Sequence, residues 1–233
     1  MNSTQKYTAE LLGTLVIVFV GSAAIVTTGN PLIAALALGL TWTGMWWVFG
    51  NVSGGHFNPA ITIASVVAKK TDAKDAVPYI VVQILGGILG SALLWFVLKG
   101  APNSFVSATA ATLANPTMAG FSSTSILILE VLCTAFLALI WFAATEKTNA
   151  AGITGLAIGL GSSAVYLASI GLTWSGLNPV RTLGPALLAG TGFGTLWVFW
   201  VAPIVGAIVG AAIWMTVVQP TRTSAPSSYT AEA

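Results

Sequence analysis

The sequence predicts an all-α membrane protein with six transmembrane helices and two re-entrant half-helices, arranged as two inverted repeats. Three observations support this fold class. The 233-residue chain is 56% hydrophobic and only 6% charged, whereas a soluble domain is about 25% charged. Its apolar residues form blocks long enough to cross a hydrocarbon core, which takes about 20 residues per helix. The chain also repeats itself at an offset of 120 residues, the separation of Asn58 and Asn178.

Six apolar blocks predict the spanning helices. They lie at about residues 7–28, 32–50, 77–99, 124–145, 151–170 and 194–217. Two shorter stretches, 58–68 and 178–188, begin with Asn-Pro and are too short to cross a bilayer, so we expect re-entrant half-helices there. The first block contains Glu10, lacks a small-residue cleavage site and is followed by further blocks. It is therefore not expected to be a removable signal peptide.

The internal repeat relates the two halves of the chain. We expect one transmembrane channel domain over residues 1–233, with repeats at about 4–115 and 124–219. Residues 221–233 are rich in Ser, Thr and Ala and are expected to form a disordered cytoplasmic tail. Because each half holds three spans, an odd number, the second half enters the membrane from the other side. Inverted repeats bring equivalent half-helix N-termini together near the midplane, which predicts a central pore.

Positive charge is distributed unevenly between the two sides of the predicted bundle. The side that carries both termini holds Lys6, Lys69, Lys70, Lys74, Lys147 and Arg222. The other side holds only Lys99 and Arg181. This excess predicts that both termini are cytoplasmic in a multi-pass protein of the plasma membrane. The net charge of +2 is too small to suggest nucleic-acid binding.

Each half-helix begins with Asn-Pro, and this pair suits a helix start. The Asn side chain caps free backbone donors, and Pro fits the first helical position because no N–H is needed there. In a soluble protein such a pair is usually a turn or a cap, but equivalent copies in an inverted repeat favour a pore. Each half-helix N-terminus carries about half a positive charge, so a proton or cation at the midplane is repelled while neutral solutes are not.

Two segments resemble the signatures of the aquaporin, or major intrinsic protein, family: SGGHFNPA at residues 53–60, with its NPA motif, and SGLNPVR at residues 175–181. The resemblance covers residues 7 to about 217. It implies a passive prokaryotic-type channel for water and small uncharged solutes that excludes protons and ions, in which Asn58 and Asn178 line the pore midplane and donate hydrogen bonds to passing water. It also implies a homotetramer in the lipid bilayer without a cofactor or metal.

The family has a selectivity filter near the outer mouth, and the resemblance assigns four positions to it. Arg181 matches the family's arginine directly, and spacing from the motifs places the others at Leu38, Tyr166 and Ser175. A structural ion pair is the alternative role for Arg181, but no carboxylate lies near it in the sequence. Strict water channels usually carry an aromatic residue in the second span and a histidine in the fifth. The departure at Leu38 and Tyr166 leaves a glycerol or other neutral-solute facilitator as the alternative function.

The loops before the two Asn residues are expected to line the pore with backbone carbonyls, because non-helical backbone at membrane depth must face a water-filled cavity. These lining residues are Gly54, Gly55, His56, Phe57, Trp174, Gly176 and Leu177. The side chain of His56 has two open interpretations, a polar and pH-sensitive lining group or a hydrogen-bonded loop anchor. Glu10 and Glu130 lie within spans, where an ionisable residue is costly. In the family such glutamates brace the loops, and direct solute contact is the alternative.

Other functional classes share parts of this pattern. A coupled secondary transporter also has inverted repeats, but it needs ion-binding carboxylates in its pathway, and Glu10 and Glu130 are the only candidates. A structural membrane protein with a closed pore stays possible as a further alternative. We expect no enzyme, because one His and six acidic residues offer no catalytic set.

Overall fold

The computed structural model describes residues 2–100, 121–146, 152–174, 176–190 and 192–219. Ser175, Lys147, Arg222 and the predicted tail lie outside these residues. Helices form the whole of the described secondary structure. They are α1 Ser3–Thr28, α2 Pro31–Met45, α3 Pro59–Val67, α4 Ala73–Leu98, α5 Ser123–Ala144, α6 Thr154–Thr173, α7 Pro179–Ala189 and α8 Val198–Ile213.

Six segments are long and apolar enough to cross a membrane, as the sequence predicts. Two of them contain more than one helical piece. A π-helical turn, Trp46–Gly50, and a short turn, Asn51–Ser53, extend α2, and Phe193–Leu196 and Trp214–Val218 flank α8. Each segment begins or ends one to four residues beyond its apolar block. The extension of α1 to Ser3 is explained by a capping box, in which the Asn2 and Gln5 side chains each accept a hydrogen bond from the other's backbone N–H.

The half-helices α3 and α7 contain 9 and 11 residues. At 1.5 Å per residue they are about 14 and 16 Å long, roughly half the thickness of a hydrocarbon core. The Asn58 side chain accepts from the backbone N–H of Ala60 at 2.8 Å, and that of Asn178 accepts from Val180 at 3.3 Å. The predicted caps and re-entrant lengths are therefore present.

Helix packing follows the repeat. The extensive pairs are α1 with α4, the equivalent α5 with α8, and α2 with α6, the same element in each half. Each half-helix packs against the last span of the other half, α3 on α8 and α7 on α4. The two halves are thus interlocked, and the N-termini of both half-helices are directed into the centre of the bundle.

Glycines permit the closest of these helix contacts. A Cβ at Gly86 of α4 would collide with the backbone carbonyl of Leu11 in α1. The equivalent Gly206 of α8 faces the carbonyl of Val131 in α5 in the same way. Small residues at such positions let helix backbones approach closely. Large apolar side chains such as Phe96, which is 74% exposed, cover the outside of the bundle, as expected of a surface that faces lipid.

The helix bundle has two ends, one at each membrane surface. The end that holds the start of α1, the end of the second span and the start of α4 is called the amino-terminal mouth. The end that holds the α1–α2 connection and the end of α6 is called the opposite mouth. The loop from Gly54 to Phe57 descends from the amino-terminal mouth, and the loop that begins at Trp174 descends from the opposite mouth.

Candidate pore

The two Asn side chains join the halves of the molecule at the bundle centre. The Nδ2 group of Asn58 donates to the backbone carbonyl of Leu177 at 2.8 Å, and that of Asn178 donates to the carbonyl of Phe57 at 2.9 Å. Both Asn side chains are buried, at 0% and 3% exposure. Each Asn therefore caps its own half-helix with its oxygen and holds the opposite loop with its nitrogen.

Backbone strain accompanies this arrangement. Phe57 and Leu177, one residue before each Asn, adopt φ angles of 47° and 44°. This left-handed region is unfavourable for residues with a bulky side chain. The surrounding contacts hold both residues in that conformation, which turns each carbonyl towards the Asn of the other half. Sequence reasoning did not identify this strain, because neither residue is a glycine.

Glu10 holds the first loop with both of its oxygens. Its Oε1 accepts from the Ser53 hydroxyl at 2.6 Å and from the His56 backbone N–H at 3.0 Å. Its Oε2 accepts from the Phe57 N–H at 2.6 Å and from the Gln83 amide at 2.8 Å. The carboxylate is completely buried. These four donors compensate for burial of a charge.

Glu130 repeats three of these four contacts in the second half. Its Oε1 accepts from the Thr173 hydroxyl at 2.9 Å and from the Gly176 N–H at 3.0 Å. Its Oε2 accepts from the Leu177 N–H at 2.7 Å. Pro203 stands where the first half has Gln83, 120 residues earlier, so the side-chain amide has no counterpart. Gln83 was missed in the sequence, although a polar side chain within an apolar block was the signal.

The structure brings two of the predicted filter residues together. The guanidinium carbon of Arg181 lies 5.4 Å from the ring centroid of Tyr166, within range of a cation–π contact. The Nη2 group of Arg181 donates to the Trp174 carbonyl at 3.3 Å. Leu38 is buried and packs against Gly21 of α1. Ser175 lies outside the described residues.

Several loop carbonyls already accept a hydrogen bond from the protein. Trp42 donates its indole N–H to the Gly55 carbonyl at 3.2 Å, and Arg181 and the two Asn residues occupy three others. A carbonyl has two lone pairs, so each of these groups keeps one acceptor site. The role of Trp42 was not predicted, since a tryptophan within an apolar span has no distinctive sequence signal.

His56 is buried beside the first half-helix. Its Nδ1 lies 3.0 Å from the Thr62 hydroxyl, and its Nε2 lies 3.4 Å from the Thr71 hydroxyl. The ring meets those of Tyr79 and Trp141 edge-on, at centroid distances of 5.3 and 5.1 Å. Burial of His56, in the loop between the second and third spans, lowers its pKa to about 3. Its imidazole is therefore neutral at physiological pH.

A cavity of about 1060 Å3 opens at the amino-terminal mouth, and its walls include Trp46, His56 and Lys70. The Lys70 ammonium is 2.8 Å from a Glu146 carboxylate oxygen and 4.4 Å from the centre of the Trp214 ring. These contacts tie the chain after α3 to the ends of α5 and α8. Within the described residues, no group of three or more His, Cys, Asp and Glu side chains is placed to hold a metal.

Comparison with known proteins decides the family. The model of the family described as "Major intrinsic protein" matches residues 1–214. The chain belongs to the major intrinsic protein family. As a major intrinsic protein it is a multi-pass passive channel for water or small uncharged solutes, and it is not an enzyme.

Relatives of this major intrinsic protein carry two kinds of name. The chain is 39% identical over 218 residues to "Aquaporin Z" of Brucella melitensis, covering 90% of this chain and 96% of the relative. It is also 39% identical over 213 residues to "Glycerol uptake facilitator protein-like 6" of Lactiplantibacillus plantarum, covering 89% and 95%. The aquaglyceroporin structure from Plasmodium falciparum superposes with a TM-score of 0.80 at 27% identity, covering 96% of this chain and all of that one. The fold class predicted from the sequence is thereby confirmed.

Proposed function

We propose that this channel conducts water through a pore whose midplane is formed by Asn58 and Asn178. The reciprocal hydrogen bonds between each Asn amide and the opposite loop carbonyl carry this proposal. A primary amide has two N–H donors, and these contacts use one on each side chain. The second donor of each Asn serves the oxygen of a passing water molecule.

Exclusion of protons and cations follows from the same geometry. The N-termini of α3 and α7 meet at the midplane, and each carries about half a positive charge. A water whose oxygen accepts from both Asn residues cannot also accept a proton from its neighbour in the file. Proton transfer along the water chain is thus interrupted where the electrostatic barrier to cations is highest.

Selectivity is assigned to a filter near the opposite mouth, formed by Arg181 and Tyr166 with Leu38 and Ser175. The Arg181 guanidinium beside the Tyr166 ring supports this assignment. A fixed positive charge repels cations and offers donors to water. The rigid Tyr166 ring restricts the opening, and this restriction favours water over larger solutes. The buried glutamates act as braces, since their carboxylate oxygens are occupied by loop donors.

Glycerol facilitation is the second candidate function. One relative is named a glycerol uptake facilitator-like protein, and the superposed structure is an aquaglyceroporin. Leu38 gives the filter an apolar wall, which suits the carbon backbone of a polyol. We place water first because the Tyr166 ring lies against the Arg181 guanidinium and restricts the opening to smaller solutes.

The cellular setting is proposed as well. The described basic residues Lys6, Lys69 and Lys70 lie at the amino-terminal mouth, which we assign to the cytoplasm. The protein then resides in the plasma membrane with both termini inside. A homotetramer with one pore per subunit is proposed from the family resemblance.

Stopped-flow light scattering of proteoliposomes tests the function. An impermeant osmolyte measures water flux, and inward gradients of glycerol and urea measure solute flux. A water pore accelerates shrinkage over protein-free vesicles and lowers the activation energy. Glycerol flux as fast as water flux would favour the second candidate. Water flux equal to that of empty vesicles, with a solute moving only under an ion gradient, would reject the channel.

A further inference from the structure

The repeat places an aromatic residue at the amino-terminal mouth in the position equivalent to a filter residue. Tyr166 of α6 and Trp46 of the second span are separated by 120 residues, the offset that relates Asn178 to Asn58. The halves are inverted, so a residue near one mouth corresponds to a residue near the other. Trp46 accordingly occupies the mirror position of the proposed filter, and it lines the cavity at its mouth.

Three glycines form a fitted site for the Trp46 ring. A Cβ at Gly55 would lie 2.5 Å from the ring, and a Cβ at Gly50 or at Gly155 would lie 2.8 Å from it. Gly55 lies in the pore loop, Gly50 at the end of the turn that begins with Trp46, and Gly155 at the start of α6. Any larger residue would displace the indole, so the ring is held in one orientation by its own turn and by two other elements.

The backbone at Trp46 is also irregular. The turn Trp46–Gly50 is π-helical, in contrast to the α-helical turns before it. Such turns insert a residue into the helical repeat and occur frequently at functional sites. Trp46 itself donates its backbone N–H to the carbonyls of Trp42 and Thr43, so it lies one α-helical turn after Trp42, which holds the Gly55 carbonyl.

Two further aromatic side chains line the cavity at this mouth, one from α5 and one from the first loop. Trp141 is buried and meets the His56 imidazole at 89°, with 5.1 Å between ring centroids. Trp46, His56 and Trp141 all line the same cavity. Rigid rings therefore contribute to the wall from the second span, the pore loop and α5.

We propose that Trp46, supported by Trp42, His56 and Trp141, forms a second size filter at the amino-terminal mouth. This proposal rests on the pore described under Proposed function. Trp46 narrows the way from this cavity into the pore and retards glycerol-sized solutes, because an indole ring packed on glycines has little freedom to move aside. The channel thus discriminates by size at both ends, with Tyr166 and Trp46 at equivalent positions.

The resistances to solute flow of two constrictions in series add. Widening one constriction therefore raises solute flux only to the extent that this constriction limits the flux. Trp46→Ala is therefore made in the wild-type protein and in a Tyr166→Ala background. Glycerol and water permeabilities of all four proteins are measured in proteoliposomes. We expect Trp46→Ala to raise glycerol permeability several-fold in the Tyr166→Ala background, with a smaller change for water.

Matched controls distinguish an absent second filter from an absent pore and from a misfolded variant. Trp197→Ala removes the same side chain from an exposed site, where the residue is 52% accessible, and should leave both permeabilities unchanged. If Trp46→Ala does not fold, Trp46→Phe is measured in its place. This variant keeps a smaller ring and should raise glycerol flux to an intermediate value. Absence of water flux in the wild type would reject the pore itself. Normal wild-type water flux with unchanged glycerol flux in both backgrounds would overturn the second filter alone.

Thiol labelling gives an independent readout of position. The single native cysteine, Cys133, is only 5% exposed, so the wild type is a suitable background. Trp46→Cys treated with a membrane-impermeant methanethiosulfonate on both sides should lose water flux and recover it after reduction. Retention of full flux in demonstrably labelled protein would show that position 46 does not lie along the pathway.

Discussion

At the residue scale, the burial of two carboxylates carries a high electrostatic cost. Glu10 and Glu130 are completely buried, and each accepts hydrogen bonds from the loop that precedes an Asn. A hydrogen bond to a charged group contributes about 1.5–3 kcal/mol to stability. The position of each loop is thus coupled to one buried side chain, which explains why an ionisable group is present within each first span.

Glu10→Gln should destabilise the protein, because one of the two accepting oxygens becomes an NH2 group that faces two donors. We expect a loss of about 2–4 kcal/mol in the free energy of unfolding, from unsatisfied buried donors. Thermal unfolding in detergent measures the change. Glu146→Gln is the matched control, since its ion pair with Lys70 is partly exposed and should contribute about 1 kcal/mol or less. Equal stability of both variants would contradict the bracing role.

Arg181→Val should weaken discrimination at the opposite mouth. Loss of the guanidinium removes a fixed positive charge and enlarges the opening next to Tyr166. We expect higher permeability to protons or to glycerol and retained water flux, as measured by a pH-sensitive dye trapped in proteoliposomes and by light scattering. Arg181→Lys keeps the charge and should leave proton exclusion in place. Unchanged selectivity in Arg181→Val would remove this residue from the filter.

His56 should not act as a pH switch in the physiological range. Its pKa is lowered by burial to about 3, so the neutral form persists in the folded protein. We expect water permeability to stay constant between about pH 5 and 8, the window of ordinary histidine titration. Below 6.5 the unfolded chain binds a proton that the folded chain does not, so stability falls as the pH decreases towards 3. A sharp change of permeability near pH 6.5 would contradict this assignment.

At the element scale, both half-helices start with Asn-Pro, but this dipeptide does not define a half-helix. The spanning helix α2 begins with Asn30-Pro31, and Asn30 caps Leu32 at 2.9 Å, as Asn58 caps Ala60. The difference lies in the side-chain amide nitrogen, which donates to the opposite loop at both half-helices, whereas that of Asn30 makes no such contact within the described part of the chain. The dipeptide therefore marks a helix start, and its placement in the fold creates the pore.

Gly206→Ala should destabilise the packing of α8 on α5. The new methyl group would collide with the Val131 backbone carbonyl, which cannot rotate away. We expect a cost of about 1–3 kcal/mol, the usual range for overpacking, measured by thermal unfolding. Gly44→Ala is the matched control, because apart from the neighbouring backbone of its own helix no atom lies within 4 Å of a Cβ at that position. The control should be neutral or more stable, since Ala favours helix formation by about 1 kcal/mol over Gly.

At the scale of the whole molecule, the two halves depend on each other. Each half-helix packs on the last span of the other half, and each Asn holds the other half's loop. A displacement of one half-helix is therefore transmitted to the opposite loop. This interlocking accounts for strained φ angles at both Phe57 and Leu177, since neither loop is free to relax alone.

The orientation of the whole molecule is testable with terminal fusions. Because positive charge is concentrated at the amino-terminal mouth, both termini should be cytoplasmic. A C-terminal fluorescent-protein fusion should fluoresce in bacterial cells, and a C-terminal alkaline phosphatase fusion should be inactive. The opposite pattern would reverse the assignment of the two mouths and would move the proposed second filter to the cell exterior.

The sequence by itself determined the spans, the half-helices and the repeat, because these depend on local hydropathy and on caps formed within a few residues. It also predicted pore roles for Asn58, Asn178 and Arg181 and a loop-bracing role for the paired glutamates. Tertiary structure alone decided their partners. The Asn contacts join residues 119 and 121 positions apart, and Gln83 reaches Glu10 across 73. Likewise, only the packed fold places Trp46 against three glycines. Such contacts arise from helix packing, which no local pattern encodes.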